Sequence, residues 1–250
     1  MKQRIHTATV TQRPRGGRPA RTVALCAALA AAGALLTACG DSADEKSTSR
    51  SYTVGGKVTA LSVTTPGGSI EVVAGGGDRV KVTERIRYTG DRPTTEHTTS
   101  GGTLSLNPGD GCGPAGGPTD CRVSYRVEVP RSVSADLDSS GGDVTVTGLA
   151  GAIEVTAAGG RVRADDVSAT SLRVSAQGGS VQAGFTAAPS SVDVDTKAGD
   201  VTVRVPNEAY AVDVSAKGGS ENVGVRTDPA SARKITLNTE GGSVRLTTAA

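Results

Sequence analysis

From residue 135 to the end of the chain, apolar side chains recur at every second position in short runs. A pair of small residues, mostly glycines, separates each run from the next. "LSVTTPGGSIEVV" shows the pattern once near residue 61. "ADLDSSGGDVTVT", "IEVTAAGGRVRAD", "LRVSAQGGSVQAG", "VDVDTKAGDVTVR", "VDVSAKGGSENVG" and "ITLNTEGGSVRLT" then repeat it without interruption. The second glycines are Gly68, Gly142, Gly160, Gly179, Gly199, Gly219 and Gly242. After a gap of 74 residues the steps are 18, 19, 20, 20 and 23, a repeat of about 20 residues. Alternation at period two predicts strands with one buried face. Small residues at the bend predict a tight turn that tolerates φ > 0.

Alignment on the second glycine gives four apolar columns. Seven residues before it stand Leu61, Ala135, Ile153, Leu172, Val192, Val212 and Ile235, and five before it Val63, Leu137, Val155, Val174, Val194, Val214 and Leu237. Two and four residues after it the columns are again aliphatic, except for Glu221. Such an acid implies either a bulged strand or an inward charge near the end of the array. Two all-β architectures fit. Successive Gly-Gly hairpins would give an antiparallel meander. Coils of about 20 residues stacked on one another would give a β-solenoid, with Val155, Val174, Val194 and Val214 forming a ladder. Matching columns favour the solenoid, because stacking constrains equivalent positions whereas a meander needs complementarity only within each hairpin. Residues 52–134 are less regular. "YTVGGKVTALSV", "VKVTERIRYT", "TLSLNP" and "CRVSYRVEVP" predict strands that form the decorated N-terminal end of one domain, residues 52–250.

The first 38 residues change the reading of charge and compartment. Lys2, Arg4, Arg13, Arg15, Arg18 and Arg21 precede an apolar run at 23–36 that is too short to span a bilayer. This is the pattern of a secretory signal. Leu36-Thr37-Ala38-Cys39 resembles the lipobox of bacterial lipoproteins, which implies a diacylglycerol on Cys39 and cleavage just before it. Residues 39–51 then form a lipidated cysteine with a polar tether. The full chain carries 27 basic and 25 acidic side chains, but without the signal the balance is 21 to 25, a net of −4. With few aromatics as well, this excludes a nucleic-acid partner. Of the remaining cysteines, Cys26 lies in the signal, and Cys112 and Cys121 bracket a Gly/Pro-rich loop outside the cytosol. A disulfide between them is expected. A two-cysteine metal site lacks partners, since His97 is isolated in "TTEHTTS".

The stretches "RVEVPRSVSADLDSSGGDVTVTGLAGAIEVTAAGGRV", "VRVPNEAYAVDVSAKGGS" and "KITLNTEGGSVRL" resemble the DUF4097 family of bacterial β-strand-repeat proteins, for which adhesin is a provisional label. The resemblance covers residues 52–250 and implies a β-solenoid exposed at the cell envelope. It supplies no catalytic residues. Glu221 and the Cys112–Cys121 insertion depart from the pattern.

The best candidate site is an outward column six residues before the glycine: Asp136, Glu154, Arg173, Asp193 and Asp213, with Asp138 and Asp195 beside it. Calcium or a glycosidase-type carboxylate pair would use such oxygens. Arg173 interrupts the column, however, and acids on a solvated strand face are ordinary. "AGGGDRV" at 74–80 occurs once, without the tandem copies of a calcium-binding repeat, and no glycine pair begins a phosphate loop. The expectation is therefore a non-enzymatic protein with no cofactor, metal or catalytic residue. It would be held to the outer face of the cell membrane through Cys39 and would bind an envelope protein or polysaccharide. An accessory role in envelope-stress signalling is the alternative, and a polysaccharide-processing β-helix enzyme comes third. The coil edge after Leu246 has no evident cap, so end-to-end self-association is expected to be open to it.

Overall fold

A computed structural model of the chain describes residues 45–75, 77–109, 112 and 121–249. Cys26, Cys39 and the signal segment lie outside the described residues. The described residues form one compact unit with its own core. Among the described residues every regular element is a strand. The N-terminal region contributes β1 (Lys46–Val54), β2 (Ala60–Thr65), β3 (Ile70–Gly75), β4 (Val80–Tyr88), β5 (Glu96–Ser100), β6 (Thr103–Asn107) and β7 (Arg122–Pro130). The repeats contribute β8 (Ser134–Ser139) with β9 (Val144–Thr147), β10 (Ile153–Ala157) with β11 (Val162–Val167), and β12 (Ser171–Ala176) with β13 (Val181–Phe185). They continue as β14 (Ser191–Thr196) with β15 (Val201–Val205), β16 (Ala209–Ala216) with β17 (Glu221–Gly224), the short β18 (Arg226–Thr227), and β19 (Lys234–Thr239) with β20 (Val244–Thr248).

Each Gly-Gly corner carries the chain from one sheet to the other, so the two strands of a repeat do not pair. Pairing runs in parallel between coils, which excludes the meander. One ten-stranded sheet has the order β1-β4-β7-β3-β9-β11-β13-β15-β20-β17, the other β18-β16-β19-β14-β12-β10-β8-β2-β6-β5. The protein is a two-sided β-solenoid. Val155 pairs with Val174 and Val174 with Val194, as the ladder requires. Parallel strands about 4.8 Å apart place these side chains in contact. Their inner faces meet those of the opposite sheet in a continuous aliphatic core.

The order of coils in space is not the order in sequence. Val194 pairs with Leu237, not Val214, and Val214 pairs with Leu237 from the other side. The last coil, β19–β20, is inserted between β14–β15 and β16–β17. The expected open edge after Leu246 is therefore covered, because Leu246 pairs with Val223 of β17. β17 is the true edge, and all four of its residues are exposed, Val223 by 42%. This resolves Glu221. It occupies the inward column on the terminal strand, where its carboxylate reaches solvent and accepts a hydrogen bond from Ala216 N at 2.8 Å. A charge in that position blunts an edge that would otherwise recruit another strand.

The opposite end is rearranged as well. β2–β3 stacks directly on β8–β9 in the repeat register, Leu61 on Ala135 and Ile70 on Val144, despite the long sequence gap. The intervening chain forms a further coil, β6–β7, on the outer side of β2–β3. β4 and β1 then extend one sheet antiparallel, and β5 does the same for the other. β1 begins at Lys46, so residues 46–51 belong to a paired strand rather than to the tether.

Two details of the corners refine the sequence reading. First, a β-carbon on the second glycine of any corner would overlap a backbone carbonyl of the adjacent coil: Gly142 meets Gly68, Gly160 meets Gly142, Gly179 meets Gly160, and Gly199 meets Gly179. Gly242 meets Gly199 and Gly219 meets Gly242, which repeats the inserted order. Close approach is common to all of these glycines, whereas positive φ occurs in only some of them. Second, the residue three before that glycine points inward. Thr65, Ser139, Ala157, Ala176, Thr196 and Thr239 form an additional buried column, and its hydroxyls bond the corner backbone, as in Thr239 Oγ1 to Gly199 O at 3.1 Å. Hydroxyls in this narrow corner are satisfied locally, so their burial carries little penalty.

Candidate functional site

The outward column of acids lies on the outer face of the second sheet. Register places Asp136, Glu154, Arg173 and Asp193 on consecutive strands. The next position is Thr236, and Asp213 follows one strand further, so the inserted coil breaks the predicted series. A groove of about 490 Å³ crosses the starts of six strands here. Its floor is small (Ser134, Ser171, Ser191), and its polar wall consists of Asp136, Glu154, Arg173 and Asp193. Five steps of about 4.8 Å make it roughly 24 Å long. Arg173 and Asp193 form an ion pair at 3.5 Å, both well exposed, so solvent screens it and it contributes little to stability. Asp138 and Asp195 lie one outward position along, separated by Thr156 and Ser175. Among the described residues no group of three or more His, Cys, Asp or Glu side chains is placed to hold a metal ion. The groove offers alternating hydroxyls, carboxylates and one guanidinium at strand spacing, a comb suited to an extended polar chain.

A family model described as Toastrack DUF4097 matches residues 127–249, from β7 to the end of β20. The repeat array belongs to the DUF4097 family. No curated protein matches the chain. Among solved structures, a putative cell adhesion protein from Clostridium sporogenes aligns with 82% of this chain and 100% of its own. Its identity is 13% and its TM-score 0.45. A putative adhesin from Bacteroides fragilis aligns over 83% and 99%, at 13% identity and a TM-score of 0.41.

The DUF4097 array begins at β7, and the strands before it build a polar cluster that the sequence reading missed. Glu84 of β4 faces inward and is buried. It accepts hydrogen bonds from Tyr52 Oη and Thr95 Oγ1, each at 2.6 Å. His97, exposed on β5, stacks on Tyr52 with ring centroids 4.6 Å apart. Arg50 lies over the Tyr52 ring at 4.9 Å. Burial, then the bond to Glu84 and the charge of that carboxylate, push the Tyr52 phenol well above its ordinary range. Burial and Glu84 raise Tyr125 in the same way, and its buried hydroxyl has no partner among the described residues. The cluster caps one end of the core. The only sequence signal was a lone glutamate in an inward register position of "VKVTERIRY". Cys112 and Cys121 come together with α-carbons 5.2 Å apart, a spacing that a disulfide spans.

Proposed function

We propose that the protein is a non-enzymatic binding scaffold of adhesin type, held to the outer face of the cell membrane by a lipid on Cys39. In this reading the loop is closed by a Cys112–Cys121 disulfide, and the solenoid presents the second sheet to an envelope polymer. The groove along Asp136, Glu154, Arg173 and Asp193 carries the reading. It is long, shallow, polar and periodic, and its groups are arranged for repeated contacts rather than converging on one reacting atom. Rigidity supports the same role, because a parallel two-sheet stack holds each side chain in fixed register with the next.

Two measurements test the proposal. Radiolabelled palmitate in a producing strain should enter the wild-type protein and not Cys39→Ser, which should also leave the membrane fraction. Purified residues 42–250 should co-sediment with isolated wall polymer, and Glu154→Lys with Asp193→Lys should change that binding without changing the melt. Failure of the domain to bind any wall fraction, or identical binding by the variant, would exclude the groove as the binding face.

A further inference from the structure

At the capped end, the outer face of the first sheet carries a second, oppositely charged concavity. β4 and β7 pair so that Arg87 lies beside Arg122 and Arg85 beside Ser124. The Gly67-Gly68-Ser69 corner closes the third side, and Ser69 N donates to Ser124 Oγ at 3.2 Å. The three arginines and these serines line a cleft of about 310 Å³. Neighbouring acids are already engaged: Glu71 by Arg126 and Glu128 by Lys81. Arg85, Arg87 and Arg122 are exposed and make no ion pair among the described residues. Three guanidinium groups around two hydroxyls form a site for a phosphate-type anion, which they can bind through several N–H donors at once.

The position of the cleft selects the source of that phosphate. Ser47 pairs with Arg87 and Ser49 with Arg85, so β1 enters the fold at this corner. Lys46, its first residue, donates to Gly90 O at 2.9 Å. Six residues separate Cys39 from Lys46, and the seven steps of about 3.5 Å reach no further than roughly 25 Å. We propose that Arg85, Arg87 and Arg122 bind the headgroups of anionic phospholipids and so dock this end of the solenoid on the membrane. The proposal rests on the lipid-anchor reading for its geometry. Its consequence is a fixed orientation, with the groove face and the β17 end directed away from the bilayer.

The test uses residues 42–250, which contain the whole core and lack Cys39, so acylation plays no part. Co-sedimentation at low ionic strength compares vesicles of phosphatidylcholine with vesicles containing one-third phosphatidylglycerol. The protein should bind only the latter, and each arginine replaced should weaken binding roughly fivefold. Arg87→Gln with Arg122→Gln should therefore lose about 25-fold. Arg204→Gln with Arg245→Gln, the same charge removed further along the same sheet, should lose less than about twofold. Thermal melts confirm that both variants fold. Equal losses in the two pairs, equal binding to both vesicle types, or no vesicle binding would each overturn the proposal. A soluble glycerol-phosphate polymer provides the remaining arm. If it binds through Arg87 and Arg122 while vesicles do not, the site serves wall polymer and not the membrane. Palmitate labelling of Cys39 reports separately on the anchor.

Discussion

The corner glycines make the sharpest test of the stacked architecture, and Gly179 is the best placed. It lies in the middle of the array with φ +87°. A β-carbon there would overlap Gly160 O, a backbone atom fixed in the adjoining corner. Gly179→Ala therefore incurs two costs. The left-handed backbone costs an ordinary residue about 1–2 kcal/mol. Relieving the overlap requires a backbone shift, which in packed interiors costs about 1–3 kcal/mol. Together these destabilise the fold by roughly 2–5 kcal/mol. Gly178 is the internal control: its β-carbon would lie 3.9 Å from Ala158 O, an ordinary contact. The equivalent residue in the next coil is already Ala198. Gly178→Ala should be neutral, or stabilise by up to about 1 kcal/mol through the unfolded chain. Urea denaturation distinguishes the two, since with a slope of about 2–3 kcal/mol per molar the midpoint of Gly179→Ala should fall by about 1–2 M. Equal midpoints for the two variants would refute the close stacking of corners.

Further outcomes follow from particular contacts. Val194 is fully buried between Val174 and Leu237, so Val194→Asp should cost at least about 4 kcal/mol, whereas Val214→Asp on the half-buried end coil should cost much less. Parallel urea melts provide the comparison. Tyr52→Phe removes a donor from the buried Glu84 carboxylate and should destabilise by about 1–3 kcal/mol. Tyr52 and Tyr125 are both raised above the usual phenol value of 10.0, so the fold favours their neutral forms. Their contribution is complete below pH 10 and declines as pH rises beyond it. A pH series of melts should show that decline, and it should be smaller in Tyr52→Phe. Glu221→Val should leave the melt within about 1 kcal/mol of wild type yet promote self-association, measured by sedimentation velocity.

Most of the repeat architecture was legible because stacked coils force equivalent positions to match. The columns through Val174 and Val194, the corner glycines and the all-β class all followed from that single period. The order of the coils was not legible. Residues 209–224 and 234–248 carry the same alternation, so periodicity identifies each as a coil without saying which one neighbours Val194. The longer step of 23 residues and the acid at 221 were the available signals, and both are explained by the insertion. The burial of Thr65, Thr196 and Thr239 is not visible in the alternation, because their hydroxyls are satisfied by backbone carbonyls that no local pattern reveals. β1 was missed because "KSTSRS" is held by pairing with β4, not by its own apolar content. Of the candidate sites, the acidic column was visible since its members share one repeat position. Arg85, Arg87 and Arg122 were not, because only the antiparallel addition of β4 to β7 brings them together.

The inserted coil has a consequence for how the molecule is made. A chain emerging from its N-terminus can lay each new turn on a layer already made only as far as residue 205. The final place of residues 209–224 lies on a layer still to be synthesised. That segment meets its final neighbours only once 234–248 has been made. Residues 234–248 are thus a keystone, and deleting them should unseat the layer above as well, removing two layers for the loss of one.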